Sequence, residues 1–498
     1  RWSVDGVTVD GLWYEAGLAD LTAAAGDAVT VSVSDPAVDW PELAPHLDGQ
    51  RCTLLRWLEG TTATDAETYA SGEVVGATWG ASDEPVSWAI GVVAGSGSLG
   101  HQVPDPLAKV DVLTWPRTAA HTIGAEGAVY PVLLGYPGWI AETSTAVAVM
   151  PAPIAQWKAG TAATTRVVIA EDQDCVITTV TLRNDDLDIQ ATETATTTVD
   201  LLNRTVCTAN FSLDTAILPS SATSRIYAGF TTTGGGGVAR SAYDVVVYLL
   251  RRYGPESVDW SRLPEIRDAI GQYQVDTWID AVVADPWAWL EGTLIASLPI
   301  EIRTSARGRY LVARRYHSDP QRRIGTISVD AGDAYRTSSV ARDGSPTNEF
   351  VGQFRRSLEG DWLGRVVLTG SATTLASAAR YPTSSSSTSQ RITTASSARC
   401  LESYTRWGLR QDDGGTIDLD WTWDTGTVLA CLGWRADRYA VPQLLVSYQL
   451  ADGEDVRDGD EVLLTDSELG WTDQPAIVDA PPVRGVATSV TLRLPEAG

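Results

Sequence analysis

The residues richest in potential chemistry lie near the carboxyl end, where the chain reads DGDEVLLTDSELGW from Asp458 to Trp471. With Asp452 and Glu454 just upstream, Asp458 and Asp460 alternate with glycines as the carboxylates of a calcium loop would. The DxDxDG order is missing, as is a glutamate at the twelfth position. The stretch therefore reads better as a tight turn that charges the edge of a sheet. Asp185 with Asp186, and Asp412 with Asp413, have the chemistry of a glycosidase pair. Adjacent carboxylates before glycine or at turns are more often caps.

Four histidines, at 46, 101, 121 and 317, form no HxH or HExxH pair, so metal hydrolysis lacks its usual ligands. His121 could be the base of a Ser/His/Asp set, yet no GxSxG elbow accompanies it. The run TTTGGGG at 231–237 is not followed by the GK[ST] of a phosphate loop. Nineteen tryptophans could offer sugar platforms, but Trp278, Trp287, Trp289 and Trp423 sit in strand or helix patterns that core packing explains. Cysteines at 52, 175, 207, 400 and 431 have no CxxC or CxH spacing and read as small buried hydrophobes in a reducing cytoplasm. No catalytic, cofactor-binding or metal-ligating set is expected, no cofactor is called for, and the chain is read as a non-enzyme.

The elements that carry these residues are mostly strands. At 498 residues the chain exceeds the roughly 250 to 300 that one core supports, so about three to five domains are expected. Residues 1–145 are expected to form a β-barrel with a Pro-rich extension: VTV, AVTVSV, CTLLRWL and PVSWAIGVV alternate between Asp, Gly and Pro punctuation. Residues 146–238 alternate Thr and Val at period two, as a half-buried β-rich domain does.

Residues 239–370 read as an α+β domain. Ser241 caps a helix with Asp244 three residues on, and Gly254 is expected to end it in the left-handed region. A short helix is expected over 263–270, another from Asp285 with Pro286 at its first position, and a hairpin turning at 306–308. The Ser/Thr-rich stretch 371–399 reads as a linker or loop. Residues 400–498 are expected to form a second barrel, with a helix capped by Thr425 and strands in QLLVSYQL, DEVLLTD, PAIVDA and VATSVTLRL. In the last of these, Val486, Thr488, Val490, Leu492 and Leu494 share a face. The fold class is thus mainly β with a smaller α+β part: two barrels at the ends, with β and α+β domains inserted between them.

A formal charge of −26 disfavours stable nucleic-acid binding, although a negatively lined channel would let DNA slide. No stretch has the length of a membrane span, and the start RWSVDGVTVDG lacks an apolar h-region, so neither a span nor an export route is expected.

Several stretches together resemble one family. SAYDVVVYLLRRYG, then DTWIDAVVADPWAWLEGTLIASLPIEIRTSARGRYLVARR, is similar to the central part of the tail hub (baseplate hub) proteins of tailed bacteriophages. SPTNEFVGQFRR (345–356), ARCLESYTRWG (398–408), the TWDTGTVLACLGWRADRYAVPQLLVSYQL stretch and VRDGDEVLLTDSELGW follow in the family's order. The likeness covers roughly 239–498, and more loosely the first hundred residues; 101–238 matches least.

The resemblance implies a homotrimer at the baseplate or tail tip of a virion, assembled in the host cytoplasm. It would join a six-fold tail tube to the distal tip, and three chains with two tube-like barrels each would give six similar modules. Implied partners are tail tube and distal tail proteins, spike or fibre proteins, and viral DNA in transient passage through the lumen. The family often carries distal lytic or receptor-binding domains, and here those roles are expected of partners. The competing expectation is another tail component, such as a distal tail ring or a glycan-binding recognition protein.

Overall fold

A computed structural model gives the architecture. It describes residues 2–9, 12–14, 23–24, 28–33, 51–58, 67–78, 86–91, 102–111, 113–115, 127–135, 139–140, 146–151, 154–159, 162–171, 177–183, 189–212, 227–232, 241–254, 258, 260, 262–283, 286–305, 308–314, 323–356, 362–370, 391–408, 411–451, 456, 458–479, 483–484 and 488–495. The protein is mainly β. Strands between residues 2 and 91 form one seven-stranded antiparallel sheet, whose edges are Leu12–Tyr14 and Ala23–Ala24. Eight antiparallel strands between Trp139 and Thr232 form a second sheet.

Among the described residues five helices follow, which we label α1 (Ala242–Arg252), α2 (Leu263–Ile270), α3 (Pro286–Thr293), α4 (Ala398–Trp407) and α5 (Thr425–Tyr439). None is long and apolar enough to cross a membrane. The Ser241 hydroxyl accepts the Asp244 N–H at 3.0 Å and so caps α1 as its sequence predicts. Gly254 differs from expectation because its φ is not positive. It is required for space instead, since a Cβ there would lie 2.2 Å from the Leu250 carbonyl oxygen. The cap of α5 is Asp424, not Thr425: its carboxylate accepts the Thr427 N–H at 2.6 Å.

The strands Ile300–Ser305 and Gly308–Ala313 pair as the expected hairpin. A four-stranded sheet places Arg391–Ser396, Trp362–Thr369, Glu349–Arg356 and Gln411–Leu419 side by side, with one antiparallel and two parallel pairings. Helix α5 lies on it so closely that a Cβ at Gly352 would meet Val428 Cγ1 at 3.0 Å. One apolar core joins this sheet to all five helices, the hairpin, and residues Val103, Val132 and Leu134.

The last sheet is nearly closed and barrel-like. Its order runs Arg323–Ser328, Glu461–Asp466, Trp471–Val478, Thr488–Pro495, Gln443–Leu450, Ala334–Arg336, with Ala341–Asp343 also on Gln443–Leu450. The two edge strands, 323–328 and 334–336, are neighbours in the chain. The turn between them is held by Val329 N–H to Thr465 O at 2.9 Å, Asp333 N–H to Ser328 O at 3.0 Å and Ala451 N–H to Asp333 O at 2.9 Å. Alternation fills the inside: Val462, Leu464, Val490, Leu492 and Leu494 are all buried in one cluster. Thr488 is buried with them, and Val486 lies outside the described residues.

Sheet membership cuts across the divisions drawn from sequence at 145, 370 and 399. Val103, Val132 and Leu134 pack in the α+β core, strands within 323–343 belong to the last sheet, 391–396 form a strand, and helices α4 and α5 pack in the α+β core. The physical reason is that pairings such as 323–328 with 461–466 are non-local, and neither partner carries a local sign of the other.

Candidate functional site: an arginine–carboxylate junction

Among the described residues a dense group of ionisable side chains lies where the α+β core meets the last sheet. From the core come Arg262 at the start of α2, Glu301 and Arg303 on one hairpin strand, Arg314 after the other, and Arg438 on α5. From the last sheet come Asp458 and Asp460 before one strand, Asp479 after the next, Arg493 in the strand near the carboxyl end, and Asp343. The opening motif of the sequence is thus a tight turn, but one whose acids face inward: Asp458 and Asp460 are 3% and 2% exposed.

Each acid meets guanidinium groups. Arg303 Nε lies 3.3 Å from Asp458 Oδ2, Arg262 Nη2 3.7 Å from Asp460 Oδ1, and Arg262 also donates to the Asp458 carbonyl oxygen. Asp479 is gripped from two sides, by Arg314 Nη1 at 2.7 Å and by Arg493 Nε and Nη2 at 2.8 and 2.9 Å. Glu301 pairs with Arg303 at 2.9 Å, with Arg438 at 3.7 Å and with Arg314. Arg493 Nη1 reaches Asp343 at 2.6 Å. Buried charges persist only when paired, and Arg suits this use because its planar fork reaches several acceptors at once.

The two central aspartates are pushed in opposite directions. Burial raises the Asp458 carboxyl, outweighing the neighbouring Arg314, Arg303 and Arg262, with Asp479 adding to the rise. Burial also opposes charge on Asp479, but the Arg493 hydrogen bonds and the charges of Arg493, Arg314 and Arg303 outweigh it and hold that carboxyl below its ordinary value. Gly459, between the two turn acids, has φ +80°, and a Cβ there would meet Val312 Cγ1 at 2.9 Å. The turn can enter the core only with glycine at that position.

Two further polar contacts tie the chain together. Glu171, after a strand of the eight-stranded sheet, accepts from Arg252 Nε and Nη2 at 3.0 and 2.9 Å and from the Tyr253 hydroxyl, while burial raises its carboxyl. Within the last sheet, Asp466 is fully buried and accepts from the Tyr448 hydroxyl at 2.9 Å and from Arg336 at 3.1 Å.

Of the chemistry weighed from sequence, Asp452, Glu454, Asp185, Asp186 and all four histidines lie outside the described residues, and Asp412 and Asp413 fall within the Gln411–Leu419 strand. Trp287 is fully buried in the core, and Trp278, Trp289 and Trp423 are half-buried. Cys207, Cys400 and Cys431 are free and buried; burial pushes the Cys400 thiol up to about 11 and the Cys207 thiol up to about 12. No group of three or more His, Cys, Asp and Glu side chains among the described residues is placed to hold a metal ion. The arginine partners escaped the sequence reading because an arginine in a strand looks like a solvated one. The only local sign was ARGRYLVARR, where basic residues flank an apolar run.

No protein-family model matches the chain. No curated protein matches it. Among solved structures it is similar to a chain of the virion of a native gene transfer agent particle, at 10% sequence identity and a TM-score of 0.44, over 78% of this chain and 88% of that one.

Proposed function

We propose that the chain is a structural protein of a phage-like virion: a baseplate or tail-tip hub that forms a homotrimeric ring between a six-fold tail tube and the distal tip. The observation that carries this reading is the order of segments over 239–498, which follows the hub family from SAYDVVVYLLRRYG to DGDEVLLTDSELGW. Those segments share two bodies, the α+β core and the barrel-like sheet, joined by the arginine–carboxylate junction.

Such a part has mechanical work to do. A nearly closed sheet whose edge strands are only six and three residues long offers little free edge to a neighbour. Buried ion pairs fix its orientation on the core, because sliding would strand unpaired charges. The seven-stranded sheet between residues 2 and 91 and the sheet near the carboxyl end would be the two tube-facing modules, so that three chains match six-fold symmetry. With a charge of −26, a lumen lined by these modules would repel DNA and keep it mobile. Tail tube, distal tail and fibre proteins would be its neighbours, and no catalytic step is assigned to it.

Copy number tests the proposal. Light-scattering mass of the purified chain, and image reconstruction of particles that contain it, should give three copies in a ring around an acidic bore. A chain that stays single at every concentration, or a ring with a basic bore, would overturn it.

A further inference from the structure

Three aspartates build the same device close together in space. Asp105 accepts the Leu107 N–H, Asp111 the Leu113 N–H and Asp200 the Leu202 N–H, each at 2.8 Å across two residues. These are Asx-turns, in which a side chain replaces the backbone acceptor and stiffens the loop. Each one holds a leucine out into solvent: Leu107 is 58% exposed, Leu113 68% and Leu202 50%, with Leu201 beside them at 57%.

The turns are tied to one another and to a rigid base. Leu201 N–H donates to Thr114 O at 3.0 Å, and Arg204 Nη2 lies 3.4 Å from Asp105 Oδ2. Tyr130, fully buried, donates its hydroxyl to Asp200 at 3.2 Å and meets Trp115 edge-on at 6.5 Å. Leucines on a stiff base lose little entropy on being covered, as effective interface anchors do.

We propose that this leucine cluster is a contact surface for a second copy of the same chain; the inference rests on the homotrimeric reading above and assigns part of its interface. Two observations favour that occupant. The four leucines leave on the order of 400 Å² of apolar surface, within the range of the largest patch on a monomer. That is close to the apolar share of the roughly 800 Å² a stable interface takes from each partner. The rim is also charge-matched within one chain, Lys109 with Asp111 and Arg204 with Asp105, so copies that each carry −26 overall can approach here without repulsion. Lys109 is one of only two lysines in the chain.

The test compares the masses of the wild-type chain and a Leu113→Ser/Leu202→Ser variant in solution. A photo-crosslinking amino acid at position 113 of the otherwise unchanged chain gives an independent readout. An oligomeric wild type, a variant reduced to single chains that still melts in one cooperative transition, and a crosslink from 113 into a second copy support the proposal. A variant that keeps the wild-type mass, or crosslinks only within the chain or to a different protein, overturns the contact while leaving the trimer intact. If the variant does not fold, the crosslink alone decides. A wild type that is always monomeric overturns the trimer itself and the contact with it.

Discussion

Arg314 Nη1 lies 2.7 Å from Asp479 Oδ1, so the residue that follows the core's hairpin grips the residue that follows a strand of the barrel-like sheet. The same guanidinium pairs with Glu301, and the same carboxylate with Arg493, which makes this contact the centre of the junction. Its worth lies less in the net energy of an ion pair than in the penalty for separating it.

Arg314→Met removes one partner and leaves two acids short of a cation. It should destabilise the protein by about 3 to 5 kcal/mol. Arg314→Lys should recover only part of that, since an ammonium group cannot bridge Glu301 and Asp479 as a fork does. Urea unfolding of the three proteins, followed by tryptophan fluorescence, measures both.

Gly459→Ala combines a positive φ with a contact against Val312 and should cost about 1 to 3 kcal/mol. Gly332→Ala keeps the positive φ, but a Cβ there would meet nothing within 4 Å. The excess loss of Gly459→Ala over Gly332→Ala, read from denaturant midpoints, isolates the packing of the turn against the core. Equal losses would mean that the turn does not enter the core.

The split between Asp458 and Asp479 gives a pH dependence of two signs. Asp458 has a folded-state value above the ordinary 3.8, so its charge opposes folding at neutral pH and that cost is relieved as pH falls through its raised value. Asp479 has a depressed value, so it contributes stability above 3.8 that is lost as pH falls through its lowered value. Asp458→Asn should therefore flatten the gain between neutral pH and 3.8, and Asp479→Asn should remove the loss below it. Unfolding free energies across a pH series, compared with wild type, show whether each variant changes its own limb.

Asp424→Ala should cost about 1 kcal/mol as α5 loses its cap, whereas Thr425→Ala, inside the helix, should be neutral or gain a few tenths of a kcal/mol. Thermal melts of the pair discriminate them, and a larger loss for Thr425→Ala than for Asp424→Ala would place the cap at Thr425.

Local signals in the chain were readable where a short-range rule set the outcome. Period-two alternation buried Val490, Leu492 and Leu494 as expected, and Ser241 capped its helix through a contact three residues away. Asp424 and Thr425 are adjacent residues that both favour a cap, so type alone could not choose between them. The junction was hidden for a different reason. Asp458 and Arg303 are 155 positions apart, and an acidic turn that faces arginines has the same sequence as one that faces water. The placement of 323–343 in the last sheet was hidden likewise, since its parallel partner begins at Glu461.

The turn that joins the two edge strands of that sheet also sets a timetable. Its first strands, 323–343, leave the ribosome well before their partners, Glu461–Asp466 for 323–328 and Gln443–Leu450 for 334–336 and 341–343. At about 5 to 20 residues per second of synthesis, they spend on the order of ten seconds with no partners of their own. During that interval the strands Glu349–Arg356, Trp362–Thr369 and Gln411–Leu419 can gather under α5, so a truncated chain that ends before Gln443 should protect α5 from hydrogen exchange while 323–343 remains unprotected.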